Sequence, residues 1–300
     1  MNTITPRLIG KRAYEMLWKP QLVNKMGKYA DKVSLVWFWA RIKKRTTSLA
    51  YPQGGFLPFA QALVKAIEQH GGKVLFTTEI TELISNDRVE IHYKTNLSFP
   101  PKRESASTLQ IGEYDACVVT LPSFLFIKMA PQLPQSYKNS LVRLQGLSAT
   151  NVLLRLKKPF LKDGTYWLSI CEQNAPIMAV IEHTNFMDKK HYANEHLVYL
   201  GNYAFTHDKL DISKEKLLSL YDPFLTKINP DYKKNLIGYE FFKAPFAQPI
   251  IPTNYSKMIP AMTTPLPHVF LANIEQVYPW DRGTNYAVEL GEKVAKLIQS

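Results

Sequence analysis

Cysteine is nearly absent: Cys117 and Cys171 are the whole complement of a 300-residue chain. Two thiols exclude a disulfide framework as the source of stability. They do not form a Cys-x-x-Cys pair, and none of the seven histidines stands at helical ligand spacing with a carboxylate, so no metal centre is expected. Long apolar runs are lacking as well. The nearest, Val33 to Trp39 and Cys117 to Ile127, fall short of the ~18 residues that a membrane helix needs, and Pro122 interrupts the second. The opening Met1-Asn2-Thr3-Ile4-Thr5-Pro6 lacks the charged-then-apolar pattern of a signal peptide. Neither a Gly-x-Ser-x-Gly elbow nor a P-loop is present, which leaves hydrolase and nucleotide-triphosphatase chemistry without a signal. No internal repeat appears, so a solenoid is excluded. The expectation is a soluble, cytoplasmic protein.

What the chain does contain is ordinary in bulk and uneven in charge. Apolar residues at 46% and aromatics at 12% suit a packed globular protein and argue against disorder. The net charge is +12, and residues 1–50 carry eleven basic against two acidic side chains, so +9 of it sits there. A local excess implies a face, a partner or a bound anion. No nucleic-acid module surrounds Arg41-Ile42-Lys43-Lys44-Arg45, so a solvated helix face is favoured over nucleic acid; a peripheral membrane contact remains open.

Apolar spacing predicts helix over residues 8–47, with Leu17, Leu22, Val23, Val33, Val36 and Trp37 on its faces and Pro20 starting a new segment. Gly54-Gly55 marks a loop. An amphipathic helix is predicted from Pro58 to His70, with Phe59, Leu63, Ala66 and Ile67 along one face, stopped by Gly71-Gly72. Strands are predicted at 73–76, 79–84, from 88 with Val89, Ile91 and Tyr93 alternating, at 108–111 and at 114–120. The last is nearly all apolar after Asp115, which suits a strand buried on both faces. Further strands are predicted at 151–156, 166–171, 177–182, 197–203, 236–242 and 268–272. Helices are predicted at 213–228, with Leu217, Leu218, Tyr221 and Leu225 inward, and at 284–298. Both cysteines fall in apolar strand text and read as inert core residues.

Three segments in order carry a resemblance. They are Gly54-Gly55-Phe56 through Gly71-Gly72, Val74 and Ile80-Thr81-Glu82-Leu83-Ile84; then Tyr114-Asp115-Ala116-Cys117-Val118-Val119-Thr120-Leu121-Pro122; then Leu271-Ala272-Asn273 through Tyr278-Pro279-Trp280-Asp281-Arg282-Gly283-Thr284-Asn285 to Gly291. Together they resemble the flavin-containing amine oxidoreductases, the family of amine oxidases, protoporphyrinogen oxidases and phytoene desaturases. The resemblance implies an α/β (mixed α+β) fold: a partial FAD-binding domain and a mixed-sheet substrate-binding domain with helices. The implied organisation is a helical part of the substrate domain at 1–50, FAD-domain segments at 51–122 and 266–300, and the substrate-binding domain at 123–265. FAD is the implied cofactor, with Ile80, Thr120, Pro122, Asp281, Arg282, Gly283 and Asn285 as its implied contacts. No catalytic residue is singled out.

The last of these segments has a physical reading of its own. A strand that feeds a glycine-containing turn into a helix presents unpaired N–H groups and the positive end of the helix dipole, and this favours an anion. Asp281 or Thr284 is the expected cap.

The family's Gly-x-Gly-x-x-Gly turn occurs nowhere among the thirteen glycines. The resemblance therefore implies that the dinucleotide-binding βαβ unit is missing and that FAD binding by this chain alone is weak or absent. The expected protein is a C-terminal portion of a flavin oxidoreductase acting on a hydrophobic small molecule, completed by a separate Rossmann-type polypeptide. The alternatives are an inactive remnant or a ligand- or protein-binding module.

Overall fold

The computed structural model describes residues 7, 9–43, 48, 50–95, 108–172, 175–204, 212–280 and 282–300. In chain order, a short helix Lys11–Ala13 and a π-helical turn Tyr14–Trp18 lead into α1 (Lys19–Met26), a 3-10 segment Gly27–Lys32 and α2 (Leu35–Lys43). Next come α3 (Phe56–Gln69), strands β1 (Thr78–Ser85), β2 (Val89–Thr95), β3 (Leu109–Tyr114) and β4 (Cys117–Val119), and helices α4 (Ser123–Met129) and α5 (Gln135–Val142). Strands β5 (Gly146–Leu156), β6 (Trp167–Ser169), β7 (Ala179–Glu182) and β8 (His196–Ala204) precede α6 (Lys214–Ile228) and β9 (Leu236–Pro249). The chain closes with β10 (Val269–Leu271) and α7 (Thr284–Gln299). Helices with antiparallel and parallel sheets make this the expected α/β class.

The chain divides into two compact units. The first joins the described residues up to Phe38 to Gln145–Tyr255. Its antiparallel sheet has the order β6-β7-β8-β5-β9. Alternate residues of its central strands, Val152, Leu154 and Leu156 on β5 with Val198 and Leu200 on β8, are fully buried in one cluster with Leu217, Tyr221 and Leu225 of α6. The period-two pattern of the strands meets the helical pattern of α6, as one-faced burial requires. Glu182 at the end of β7 is buried and accepts from the Phe160 and Leu161 amides, and burial raises its pKa.

The second unit comprises Trp39–Leu144 and Ser256–Ser300. It holds an antiparallel β1-β2-β3 sheet and a parallel pair, β4 and β10. The outer edge of β10 is already occupied: Thr263 bridges Phe270, and the Leu271 amide donates to the Met262 carbonyl at 2.8 Å. Among the described residues nothing pairs with the other edge of β4. Cys117 and Val119 direct their backbone bonds toward β10, so the alternation of a parallel ladder turns those of Val118 outward.

Several expectations are corrected. Residues 73–76 form no strand, and Leu75 and Phe76 are exposed, because a strand needs a neighbour for its N–H and C=O groups. Helix α3 forms, starting two residues before Pro58, but none of its residues is buried: Leu63 is 51% and Ile67 46% exposed. β4 is not buried on both faces; Cys117 and Val118 are half-buried and Thr120 is exposed. Pro20 does start a new segment, in the first turn of α1 just after the π-turn, and a further interruption comes at Gly27. Helices α4 and α5 were not expected. Thr284 does not cap α7, whose N-cap is Gly283 with no side-chain bond. Asp281 lies outside the described residues.

Candidate functional site

The site is built where β4 and β10 end. Their parallel register, Cys117 with Val269, Val118 with Phe270 and Val119 with Leu271, brings two crossover turns to one end of the pair. That end is where ligands bind in open α/β sheets. After β4 the chain turns through Thr120-Leu121-Pro122 into α4, with Pro122 at its N-cap. After β10 it runs through Ala272 into Asn273, which opens a capping box with Gln276: the Asn273 side chain accepts from the Glu275 amide, and Gln276 accepts from the Asn273 amide at 2.8 Å.

A buried carboxylate joins the two turns. Glu275 is 1% exposed. It accepts from the Ser123 amide at 3.2 Å, from the Ser123 hydroxyl, and from Asn273 Nδ2 at 2.9 Å. Asn273 Nδ2 also donates to the Leu121 carbonyl at 3.0 Å. Burial raises the pKa of Glu275 despite the donors at Ser123 and Asn273 that favour its charged form. Burial, then the nearby Glu275, push the Tyr137 hydroxyl up to about 12.

A cavity of about 470 Å³ opens beside these turns. It is lined by Val118 and Thr120 from the β4 end, by Ala272, Asn273, Ile274 and Val277 after β10, and by Arg282 and Gly283 ahead of α7. Ala287, Leu290, Gly291 and Val294 of α7 close the opposite side. An apolar lining with few polar groups (the Arg282 guanidinium, the Thr120 hydroxyl and the Asn273 amide) is the usual make-up of a cofactor or small-molecule site.

Of the residues singled out in the sequence, Thr120, Arg282 and Gly283 meet in this cavity. Pro122 stands behind it at the start of α4, and Asn285 is exposed on the first turn of α7; neither lines it. Ile80 lies half-buried on β1 of the other sheet, opposite Tyr93. Sequence reasoning missed Glu275 and Ser123. The signal was Asn273-x-x-Gln276, a capping pattern directly after a predicted strand. Cys117 is half-buried, and burial pushes its thiol up to about 11, which disfavours the thiolate. Among the described residues no group of three or more His, Cys, Asp or Glu is placed to hold a metal ion.

The residues fit one end of FAD only. Arg282 and the start of α7 offer positive potential and the cavity walls offer apolar surface. The sequence has no Gly-x-Gly-x-x-Gly loop to cradle a pyrophosphate.

The family model described as flavin containing amine oxidoreductase matches residues 21–298. Among solved structures, similarity is found to an oxidoreductase from Methanosarcina mazei at 15% identity, covering 89% of this chain and 62% of that one, with a TM-score of 0.61. A protein named as a protoporphyrinogen oxidase from Exiguobacterium sp. 255-15 matches at 14% identity over 98% and 66%, with a TM-score of 0.66. Reduced UDP-galactopyranose mutase matches at 14% identity over 85% and 56%, with a TM-score of 0.59. At these identities the likeness is one of fold. The chain spans 56–66% of the length of these three structures. No curated protein gives a significant match.

Proposed function

The chain belongs to the flavin-containing amine oxidoreductase family, and we propose that it is the C-terminal part of an FAD-dependent oxidoreductase, completed by a Rossmann-type polypeptide that carries the glycine-rich turn. The observation that carries this reading is the β4–β10 pair: a two-stranded parallel sheet with one edge covered, one edge that nothing pairs with among the described residues, and a cavity at its C-terminal end. Parallel strands occur almost only inside larger sheets covered on both faces, which supports reading this pair as part of a larger sheet. The unpartnered 73–76 segment and the exposed apolar face of α3 support the same reading.

In the completed protein FAD, when bound, would supply the electron acceptor for substrate oxidation, and this chain's residues would hold one end of it. Arg282 would supply positive charge at the cavity and Thr120 a polar contact, while Glu275 and Asn273, whose side chains are bonded to one another and to the turn after β4, keep the two turns in register. The antiparallel unit around β5 and β8 is assigned to a hydrophobic substrate. Without the glycine-rich turn, roughly three hydrogen bonds to charged groups are lost at ~1.5–3 kcal/mol each. That is on the order of 5 kcal/mol, or several thousandfold in affinity.

The half-site still makes a specific prediction. Titrating the chain into FAD and following the flavin proton linewidths reads binding too weak to isolate. Broadening is expected with the wild-type chain and is expected to fall severalfold with Arg282→Glu, whose exposed position leaves folding intact. No broadening, or equal broadening by both proteins, removes this cavity as the flavin site.

A further inference from the structure

Glu182, the last residue of β7, takes no part in the flavin reading, yet it is a fully buried carboxylate at the edge of the first unit's core. Its Oε1 accepts from the Phe160 amide at 3.0 Å and its Oε2 from the Leu161 amide. Asn185 Nδ2 donates to the Leu161 and Thr165 carbonyls, and Asn229 Nδ2 to the Phe160 carbonyl at 2.9 Å. These bonds pin the turn that follows β5 and keep Phe160 and Leu161 in the cluster with Leu156 and Tyr232. A second titratable group meets the carboxylate from the neighbouring strand. His196, the first residue of β8, is buried, and its Nδ1 lies 3.6 Å from Glu182 Oε1. Among the described residues that Nδ1 has no hydrogen-bond partner.

The other charged groups around the pair are few or already engaged. Asp163, on the pinned turn, acts on Glu182, and Lys189, in the 3-10 turn Lys189–Tyr192, acts on His196. His183 turns instead to the Tyr192 hydroxyl at 2.7 Å and to the Tyr199 ring. Glu195 is held by both guanidinium nitrogens of Arg155 that reach it. Toward α6, Asp222 is bound by the Tyr232 hydroxyl and the Lys233 ammonium. Burial raises the pKa of Glu182 despite its two amide donors, with a smaller push from Asp163. Burial, then Lys189, lower that of His196.

We propose that Glu182 and His196 share one proton as a neutral pair, carried on Glu182 Oε1 and directed at the unprotonated His196 Nδ1, and that this makes the hold on the turn after β5 insensitive to mild acid. In the unfolded chain, between the two ordinary values of 4.5 and 6.5, the same proton sits on the imidazole and the carboxylate is charged. Folding moves it from His196 to Glu182, and no proton is exchanged with solvent. A site so little exposed to water disfavours two charges more than two neutral groups. Glu182 binds its proton more tightly when folded, so its contribution is full below 4.5 and is lost as pH rises through the raised value. His196 binds its proton more weakly when folded, so its contribution is full above 6.5 and is lost as pH falls toward the lowered value. The two slopes are opposite and cancel where they overlap. The inference is independent of the flavin reading, since it rests on the first unit alone.

The test is urea denaturation of the full chain across about pH 5 to 6.5, comparing wild type with Glu182→Gln, His196→Asn and the double variant. Relative to wild type, Glu182→Gln is expected to lose stability as pH falls and His196→Asn to gain it, each by up to about tenfold in the folding equilibrium constant per pH unit. The double variant is expected to run parallel to wild type. A merely structural role shifts each single variant by an amount that does not change with pH, and that result overturns the proposal, as do slopes of the same sign. The ring nitrogens of His196, read by NMR in the 15N-labelled wild-type chain, give a second measurement that needs no variant to fold. At about pH 6, where an ordinary imidazole is mostly charged, the ring is expected to be mainly neutral with Nδ1 unprotonated. A charged ring, or a proton on Nδ1, overturns the neutral pair.

Discussion

Replacing Glu275 by alanine is expected to destabilise the second unit by about 3 kcal/mol. The Ser123 amide, the Ser123 hydroxyl and the Asn273 side-chain amide all donate to this one carboxylate in a site closed to water. Removing the acceptor leaves buried donors unpaired, at roughly 1–3 kcal/mol each before relaxation. Glu275→Gln keeps an acceptor oxygen and is expected to cost about 1 kcal/mol or less. Urea denaturation of the two variants at neutral pH separates these outcomes. If alanine and glutamine prove equally mild, Glu275 does not hold the strand-end turns together.

The same side chain sets a pH dependence whose sign follows from its burial. Its folded pKa is raised above the ordinary 4.5, so the folded state binds the proton more tightly than the unfolded chain. Its contribution is therefore fully favourable below the ordinary value and is lost as pH rises through the raised one. Wild-type stability is expected to decline across that window relative to Glu275→Gln, which has no proton to lose there.

Leu154→Ala is expected to have the largest effect in the first unit, about 3 kcal/mol or somewhat more. Leu154 is completely buried at the centre of β5, between strands β8 and β9 and within the cluster that α6 covers. Truncation removes contacts and leaves a cavity that a sheet fixed on both sides cannot close. Leu154→Met, which nearly conserves volume, is expected to stay below about 1.5 kcal/mol. A chemical melt that finds the alanine variant as stable as wild type contradicts this packing.

How much was legible in the sequence depends on whether an element finds its partner inside the chain. The strands around Val152, Val180 and Leu200 and the helix with Leu217, Tyr221 and Leu225 were read correctly, because the faces they bury are met by one another. The helix over Leu63 and Ile67 was also read correctly as an amphipathic helix, and its apolar face is exposed. Periodicity announces an apolar face but not what covers it. Residues 73–76 failed for the same reason at the level of hydrogen bonds. The short α4 and α5 escaped because Ser123–Met129 and Gln135–Val142 offer only two turns each, too few for a period to stand out.

The site was half legible. Thr120, Arg282 and Gly283 were named because the family resemblance implied them, and they line one cavity. Glu275 was passed over because a lone acid after a strand reads as surface. Its burial depends on Ser123, which is distant in sequence and reaches it only through the parallel pairing of β4 and β10.

The central claim, that this chain carries an incomplete flavin site, is tested most directly by the visible absorbance of the purified 300-residue protein. The protein is incubated with excess FAD and then freed of unbound cofactor by gel filtration. The account predicts a colourless protein, without the flavin band near ~450 nm. A yellow protein retaining one flavin per chain would contradict it, since the residues present would then suffice to hold the whole cofactor.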